Sequence, residues 1–178
     1  TDWTQRTTAS TPISRRHHSK VYDSARQVTV MFGGYDGSYL NDTWEYDGLS
    51  WTDKTPTGSQ ASPSPRRQIC LSFDSARNVT TLLGGRTNTG LQSDTWEWDG
   101  STWTQVATTG PSARIWHAMA YDSQRNRTVM FGGNDGNLPQ SDTWELRMVP
   151  SGVALYGSGC GNPQLSLLAV NTPRTGST

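Results

Sequence analysis

The sequence is poor in the residues that favour helices. Its 178 residues include only two lysines and three glutamates, against 18 glycines and nine prolines. Lysine and glutamate are good helix formers, whereas glycine and proline are the poorest residues in a helix interior. The composition therefore argues against a mainly helical chain.

Long apolar runs, an excess of one charge and cysteine motifs are also missing. No stretch approaches the roughly 20 apolar residues that span a bilayer. Basic and acidic side chains balance at 15 each, which argues against a nucleic-acid or membrane-surface partner. Cys70 and Cys160 lie far apart and lack the spacing of a zinc site or a disulfide framework.

What the sequence has instead is a unit of about 50 residues that occurs three times. Each copy contains a Pro-x-x-Arg segment, a Asp-Ser-x-Arg segment, an apolar run that ends in two glycines, and the tetrad Asp-Thr-Trp-Glu. The units span about 9–55, 56–107 and 108–146. The glycine pairs are Gly33-Gly34, Gly84-Gly85 and Gly132-Gly133, and the tryptophans of the tetrads are Trp44, Trp96 and Trp144.

Each unit is predicted to form four short antiparallel strands. The Asp-Ser-x-Arg segment supplies a turn, and the apolar run before the glycines is typical of a strand buried on both faces. Alternation in the tetrad places Trp44 and Tyr46 on one face of the third strand and Glu45 on the other. A repeated four-stranded antiparallel unit is a propeller blade.

These residues resemble the kelch repeat, in which an apolar stretch ends in Gly-Gly and is followed by an aromatic residue and a Trp. Here the later pairs are Tyr46 with Trp51 and Trp98 with Trp103, and the third copy lacks the final Trp. The resemblance covers about residues 3–146. It implies a β-propeller in which the first strand of each blade lines a central channel and the fourth lies outside.

The ends of the repeat array are out of phase with whole blades. Residues 2–8 match the fourth strands of the later units and are predicted to complete another blade, while the third unit is predicted to lack its fourth strand. Propellers typically have 4 to 8 blades, so three blades cannot close a ring. The chain is either a fragment of a larger propeller or half of a dimeric six-bladed ring, in which the Trp3 strand completes the partner's third blade.

The propeller repeats are expected to end near residue 148. Residues 149–178 are low in charge and carry strand-like runs between Gly and Pro signals. They show a weak resemblance to the small Gly-Cys β-modules of some secreted bacterial proteins. We interpret them as a β tail or as the start of a truncated module.

The charged residues that recur at fixed phase are interpreted as structural. One carboxylate and two guanidiniums per unit suggest hydrogen-bonded pairs between blades, for which the planar arginine fork is suited. The carboxylates are Glu45, Glu97 and Glu145, and the arginines of the first strand are Arg15, Arg66 and Arg114.

The loops after the glycine pairs are the strongest candidates for binding, because they differ between copies. Variable loops on a rigid scaffold usually carry recognition. The residues predicted to contact a partner there are Tyr35, Asp36, Tyr39, Arg86, Asn88, Asn134 and Asp135.

Three further candidates break the repeat in the first strands. His18, His117 and Trp116 are expected near the channel mouth, where imidazoles could bind a metal or act as acid and base. No carboxylate or third histidine accompanies them at ligand spacing. Kelch enzymes of the galactose oxidase type hold copper on a Tyr-Cys centre, but Cys70 aligns with Ser19 and Ala118, so no cofactor, metal ligand or catalytic residue is assigned.

The sequence thus favours a non-catalytic scaffold that recognises a protein or a glycan through its blade loops. The alternative is an extracytoplasmic propeller hydrolase, lyase or oxidase with its site at the channel mouth. The Lys-poor surface, the absent initiator Met and the resemblance of the tail predict a secreted or extracytoplasmic protein.

Overall fold

A computed structural model describes residues 1–107, 109–149 and 152–157 of the chain. Within these residues the chain forms strands and no helix. The first unit contains β1 (Ser19–Asp23), β2 (Val28–Tyr35), β3 (Tyr39–Tyr46) and β4 (Trp51–Asp53). The second contains β5 (Cys70–Asp74), β6 (Val79–Leu83), the short hairpin β7 (Arg86–Thr87) and β8 (Gly90–Leu91), then β9 (Thr95–Trp98) and β10 (Trp103–Ala107). The third contains β11 (Ala118–Asp122), β12 (Arg127–Phe131), β13 (Thr143–Val149) and β14 (Gly152–Gly157).

The strands form three four-stranded antiparallel sheets, one for each unit. Their orders are β1-β2-β3-β4, β5-β6-β9-β10 and β11-β12-β13-β14, and the β7-β8 hairpin stands apart from them. This confirms the predicted all-β fold of kelch-type blades. We call the three sheets blades 1, 2 and 3; the first strand of blade 2 lies against the first strands of blades 1 and 3.

The turn between the first and second strands of each blade follows from its sequence. The Asp23 carboxylate accepts hydrogen bonds from the backbone N–H groups of Ala25 and Arg26, both at 3.0 Å. Gln27 then takes a left-handed conformation with φ of 58°. Asn78 and Asn126 occupy the same place in blades 2 and 3, and asparagine tolerates this conformation well.

The core lies between blades 1 and 2. Trp103 packs edge-on against Phe32 with ring centroids 5.1 Å apart, and Phe32 is fully buried. The Trp103 indole donates to the Thr43 hydroxyl at 2.9 Å, and the Trp98 indole donates to the Glu45 carboxylate at 3.0 Å. Trp98 and Trp103 therefore join blade 2 to blade 1.

The repeated arginines pair within a blade, so the prediction of ion pairs between blades is wrong. The Arg66 guanidinium donates to both oxygens of Asp94 at 2.6 and 2.9 Å, and Arg114 does so with Asp142 at 2.6 and 2.8 Å. Arg15 pairs likewise with Asp42 in blade 1. The partner of each arginine is the first residue of the tetrad, which comes directly before the third strand in blades 2 and 3 and lies within it in blade 1.

The second repeated arginine also pairs within its own blade. Arg77 bridges Asp74 and Glu97 at 2.7 Å each, and Arg26 bridges Asp23 and Glu45. In blade 3 the equivalent Arg125 reaches only Asp122, at 3.2 Å. Glu145 is held there by Arg127 instead.

Blade 3 has a fourth strand, which differs from the expectation that it is missing. Gly152–Gly157 pairs antiparallel with β13, with Leu155 opposite Leu146. That position corresponds to Trp51 opposite Tyr46 in blade 1 and Trp103 opposite Trp98 in blade 2. The start of the tail therefore completes blade 3, while the rest of it, including Cys160, lies outside the described residues.

Residues 2–8 form no strand with the described residues of this chain, and Trp3 is fully exposed. Their assignment to another blade stays a prediction. In the described part of the chain no helix has the length and apolar character needed to cross a membrane.

Candidate functional site

The loops that follow the glycine pairs lie at the same end of the three blades. In each blade, the residue after the glycines forms a two-way backbone bridge with the residue after the buried arginine. The bridges are Arg16 with Tyr35, Arg67 with Arg86, and Ile115 with Asn134. Three of the predicted binding residues, Tyr35, Arg86 and Asn134, therefore hold equivalent places along one edge, which we call the loop rim.

Arginine and tyrosine side chains interleave across the boundary between blades 1 and 2 on this rim. The Arg16 guanidinium lies 5.0 Å from the centre of the Tyr35 ring, and that of Arg67 lies 4.7 Å from it. Arg67 is also 5.2 Å from the Tyr39 ring centre, and the two tyrosine rings meet edge to face at 5.5 Å. We call Arg16, Tyr35, Tyr39 and Arg67 the Arg-Tyr cluster.

The cluster brings guanidiniums together without neutralising them. Among the described residues, Arg16, Arg67 and the neighbouring Arg86 take part in no ion pair with a carboxylate. The Nε of Arg67 is buried and has no hydrogen-bond partner there. Cation–π contact stabilises such a cluster but leaves N–H donors for a partner.

Two members of the cluster, Arg16 and Arg67, are absent from the predicted binding set. Both follow a structural arginine in an Arg-Arg doublet, and the third copy has Ile115 in their place. That departure from the repeat is the signal that could have found them.

Left-handed backbone marks the next residue of the rim in every blade. His17, Gln68 and Trp116 have φ of 61°, 59° and 59°. This conformation is a genuine outlier for a bulky residue such as Trp. Trp116 is 64% exposed, so this strained backbone presents an aromatic side chain to solvent.

The acidic and amide residues of the loops are mostly used in their own turns. The Asp36 carboxylate accepts from the Ser38 N–H at 2.8 Å, and Asp135 accepts from the N–H groups of Asn137 and Leu138 at 2.9 Å. The Leu138 and Asn137 bonds lower the pKa of Asp135. The Asn134 side chain accepts from the Gly136 N–H at 2.7 Å. Asn88 lies exposed in the turn of the β7-β8 hairpin.

The two histidines lie behind the glycine pairs of separate blades. A Cβ on Gly34 would stand 3.1 Å from that of His18, and one on Gly133 would stand 3.0 Å from that of His117. His117 is only 6% exposed, and its burial, with the charge of Arg114, lowers its pKa to about 4. The pKa of the half-buried His18 is lowered by burial and by Arg15 and Lys20. A role in ligand binding stays a prediction for both.

No metal centre can be built from the described residues, where no three His, Cys, Asp or Glu side chains come together. Within the described residues Cys70 forms no disulfide; burial is the main factor that raises the pKa of its thiol, and it lies at the position that Ser19 takes in blade 1. It packs as a small side chain in β5.

Comparison with known proteins identifies the repeat. No curated protein matches the chain. Residues 1–151 match the family model of the KLHDC2/KLHL20/DRC7 Kelch-repeats domain, and this match covers all three glycine pairs and tetrads. The chain therefore belongs to the kelch-repeat family, whose domains generally mediate protein interactions.

Proposed function

We propose that this chain is a non-catalytic scaffold that binds a protein segment on its loop rim, with the Arg-Tyr cluster as the main contact. The observation that carries the proposal is the three guanidiniums of Arg16, Arg67 and Arg86 without carboxylate partners among the described residues. Arginine presents a planar fork that fits a carboxylate with two parallel hydrogen bonds. The favoured ligand is therefore a segment that carries acidic side chains or a chain-terminal carboxylate.

A protein ligand suits the cluster better than a glycan does. Sugars are commonly held against the open face of an aromatic ring, but Arg16 and Arg67 already lie over Tyr35, and Arg67 lies over Tyr39. Trp116 adds an exposed aromatic anchor, and Trp, Tyr and Arg are the residue types enriched at interaction hot spots. Secretion of the protein stays a prediction from its sequence.

Selection from a random peptide library displayed on phage tests the proposal. The immobilised chain is expected to enrich peptides with acidic residues, and their binding should weaken as salt is raised because the contact is charge-assisted. Arg67→Ala should weaken binding of a selected peptide by at least about tenfold, since hot-spot truncations cost about 2 kcal/mol or more and each 1.4 kcal/mol is about tenfold in affinity. Fluorescence anisotropy of the labelled peptide measures this.

The matched control is Arg125→Ala. Arg125 is a more exposed arginine in the turn between β11 and β12, at the other end of the strands from the loop rim. Its removal should leave the affinity unchanged. Selected peptides that lack acidic residues would contradict the proposal, and so would equal losses of affinity in the two variants. Binding of glycans but not of peptides at the loop rim would also contradict it.

A further inference from the structure

The two blade boundaries inside this chain use one set of backbone hydrogen bonds. The second glycine of a blade donates its N–H to the buried arginine of the next blade: Gly34 to the Arg66 carbonyl and Gly85 to the Arg114 carbonyl, both at 2.9 Å. The arginine N–H donates back to the preceding blade, from Arg66 to the Leu40 carbonyl at 2.9 Å. Arg114 does the same with Gln92 at 3.2 Å.

The first glycine of each pair makes this approach possible. A Cβ on Gly33 would stand 2.6 Å from the Arg66 carbonyl oxygen, and one on Gly84 would stand 2.9 Å from that of Arg114. Both distances are shorter than any real Cβ contact. In blade 3, a Cβ on Gly132 would meet only the Gln140 carbonyl, at 3.2 Å.

Side chains complete the boundary between blades 1 and 2. Trp98 and Trp103 of blade 2 are stacked at 5.5 Å with 37° between the rings, and both enter the face of blade 1. They reach Glu45 and Thr43 there, while Phe32 packs on Trp103. One face of a blade is thus a receptor, and the opposite face of the next blade supplies the aromatic pair.

Blade 3 exposes the receptor face. Phe131, Thr143 and Glu145 hold the positions of Phe32, Thr43 and Glu45 in the repeat. Phe32 is fully buried, whereas Phe131 is 56% exposed, and Thr143 is exposed as well. Gly133 and Gln140 lie at the positions whose backbone groups bind the next arginine in blades 1 and 2.

Blade 1 exposes the complementary face. Tyr46 and Trp51 hold the positions of Trp98 and Trp103, and their rings stack at 5.1 Å with 34° between them. The geometry is close to that of the buried Trp98–Trp103 pair. Both Tyr46 and Trp51 are partly exposed, and Arg15 stands where Arg66 and Arg114 bind the preceding blade.

We propose that the exposed face of blade 3 binds blade 1 of a second copy of this chain. Trp51 and Tyr46 of one copy contact Phe131, Thr143 and Glu145 of the other, and Arg15 bonds the Gly133 and Gln140 backbone. Two copies related by a two-fold axis make this contact twice and close a ring of six blades. The occupant is identified by the chain itself, because it carries both halves of a contact that it already makes internally.

No exchange of end strands is needed in this assembly. The place that the Trp3 strand of a partner would take in blade 3 is filled by β14. The docking surfaces are blade faces that continue the packing seen between blades 1 and 2, so the contact keeps the register of the existing boundaries.

Two single substitutions test the proposal in the full chain by size-exclusion chromatography with light scattering. The unmodified chain should have the mass of two copies. Phe131→Asp and Trp51→Asp should each raise the dissociation constant by at least about 30-fold, because each places a charge in the centre of an apolar contact. Leu138→Asp is the matched control, because Leu138 is an exposed apolar side chain of blade 3 that is not among the residues of the proposed contact.

Mixing the two variants separates this contact from other modes of association. A pair formed by Phe131→Asp and Trp51→Asp chains has both changes in one contact and leaves the second contact unaltered. The mixture should therefore form a two-chain species, at concentrations well above those at which the unmodified chain dimerises, while each variant alone stays monomeric. Thermal unfolding of each variant checks that it is folded.

Three outcomes would overturn the proposal. They are an unmodified chain that stays monomeric, assemblies that grow beyond two copies with concentration, and a mixture of folded variants that does not associate. Loss of the dimer in Leu138→Asp would count against the assigned faces.

Discussion

At the scale of single residues, the aspartate that opens each Asp-Thr-Trp-Glu segment organises its blade. Asp142 accepts two hydrogen bonds from Arg114 and a third from the Trp144 indole at 2.6 Å, and Asp94 does the same with Arg66 and Trp96. The Arg114 side chain is 1% exposed, so this carboxylate compensates a charge that water does not reach. Hydrogen bonding by Arg114 lowers the pKa of Asp142 to about 2.

Asp142→Asn should destabilise the chain by roughly 3 kcal/mol at pH 7, because a buried guanidinium loses its counter-ion. Because the pKa of Asp142 is lower in the folded than in the unfolded chain, its ionised carboxylate stabilises the folded state above about pH 4. This stabilisation is lost as the pH falls towards 2. The unmodified chain should therefore lose stability across that interval, and the variant should lose less of it. Urea unfolding at several pH values measures both effects.

Asp122→Asn is the control for this substitution. Asp122 caps a turn, as asparagine also can, and it pairs only with the exposed Arg125. Its replacement should cost no more than about 0.5 kcal/mol. Equal losses in the two variants would show that the burial of Arg114 is unimportant.

The strained backbone at Trp116 leads to a prediction in which stability and binding change in opposite directions. Trp116→Asn should stabilise the chain by about 1 kcal/mol, because asparagine accepts the left-handed conformation that costs other residues about 1–2 kcal/mol. The same variant should bind a selected peptide more weakly. Thermal unfolding and anisotropy give the two readouts.

Leu138→Asn is the control for Trp116→Asn. It also replaces an exposed apolar side chain of blade 3, but Leu138 has no left-handed backbone, so no gain in stability is expected. A loss of stability in Trp116→Asn would mean that the indole contributes packing that outweighs the backbone strain.

At the scale of strands and blades, the sequence predicted the features that depend on residues close together in the chain, namely the turns and the buried second strands. The turns were readable because Asp23 and its equivalents bond their own backbone, and the second strands because their apolar runs end in glycines. The strand-like run at Gly152–Gly157 was recognised, but its place as the fourth strand of blade 3 was not, since it has no Trp and pairs with β13 through backbone groups that any sequence carries. The partners of the repeated arginines were predicted wrongly. The position of a residue in the repeat does not show whether its side chain contacts its own blade or the next one.

Glycine-to-alanine substitutions at equivalent positions should distinguish backbone strain from blade packing. Gly33 and Gly132 have φ of 62° and 67°, so Ala carries a similar backbone cost at both. Only Gly33→Ala also drives a Cβ into the Arg66 carbonyl of the next blade. It should destabilise the chain by at least about 1 kcal/mol more than Gly132→Ala does.

This comparison belongs in the Phe131→Asp background, where the proposed contact between copies is removed. Urea unfolding gives the free energies. In the otherwise unmodified chain, Gly132→Ala should instead weaken association, because the partner's Arg15 carbonyl would approach that glycine. Equal free-energy losses at the two positions would contradict a packing role for Gly33.

At the scale of the whole molecule, the sequence predicted three blades and placed Tyr35, Arg86 and Asn134 among the binding residues, but it did not predict the Arg-Tyr cluster. Arg67 becomes a neighbour of Tyr35 only because consecutive blades lie side by side, whereas Arg16 and Tyr35 belong to the same blade. The contact between Arg67 and Tyr35 joins two different repeats, and no local pattern encodes it. The same side-by-side packing leaves Phe131 and Trp51 at opposite ends of the three-blade unit.

If two copies close a ring through those ends, the stability of the chain depends on its concentration. Association binds the folded chain and not the unfolded one, so mass action adds stability as the concentration rises above the dissociation constant. The melting temperature of the unmodified chain should therefore increase with protein concentration. That of Phe131→Asp should stay constant over the same range, because its blade 3 cannot bury the receptor face. Scanning calorimetry across a hundredfold dilution series measures both, and a constant melting temperature in the unmodified chain would mean that the two faces do not meet in solution.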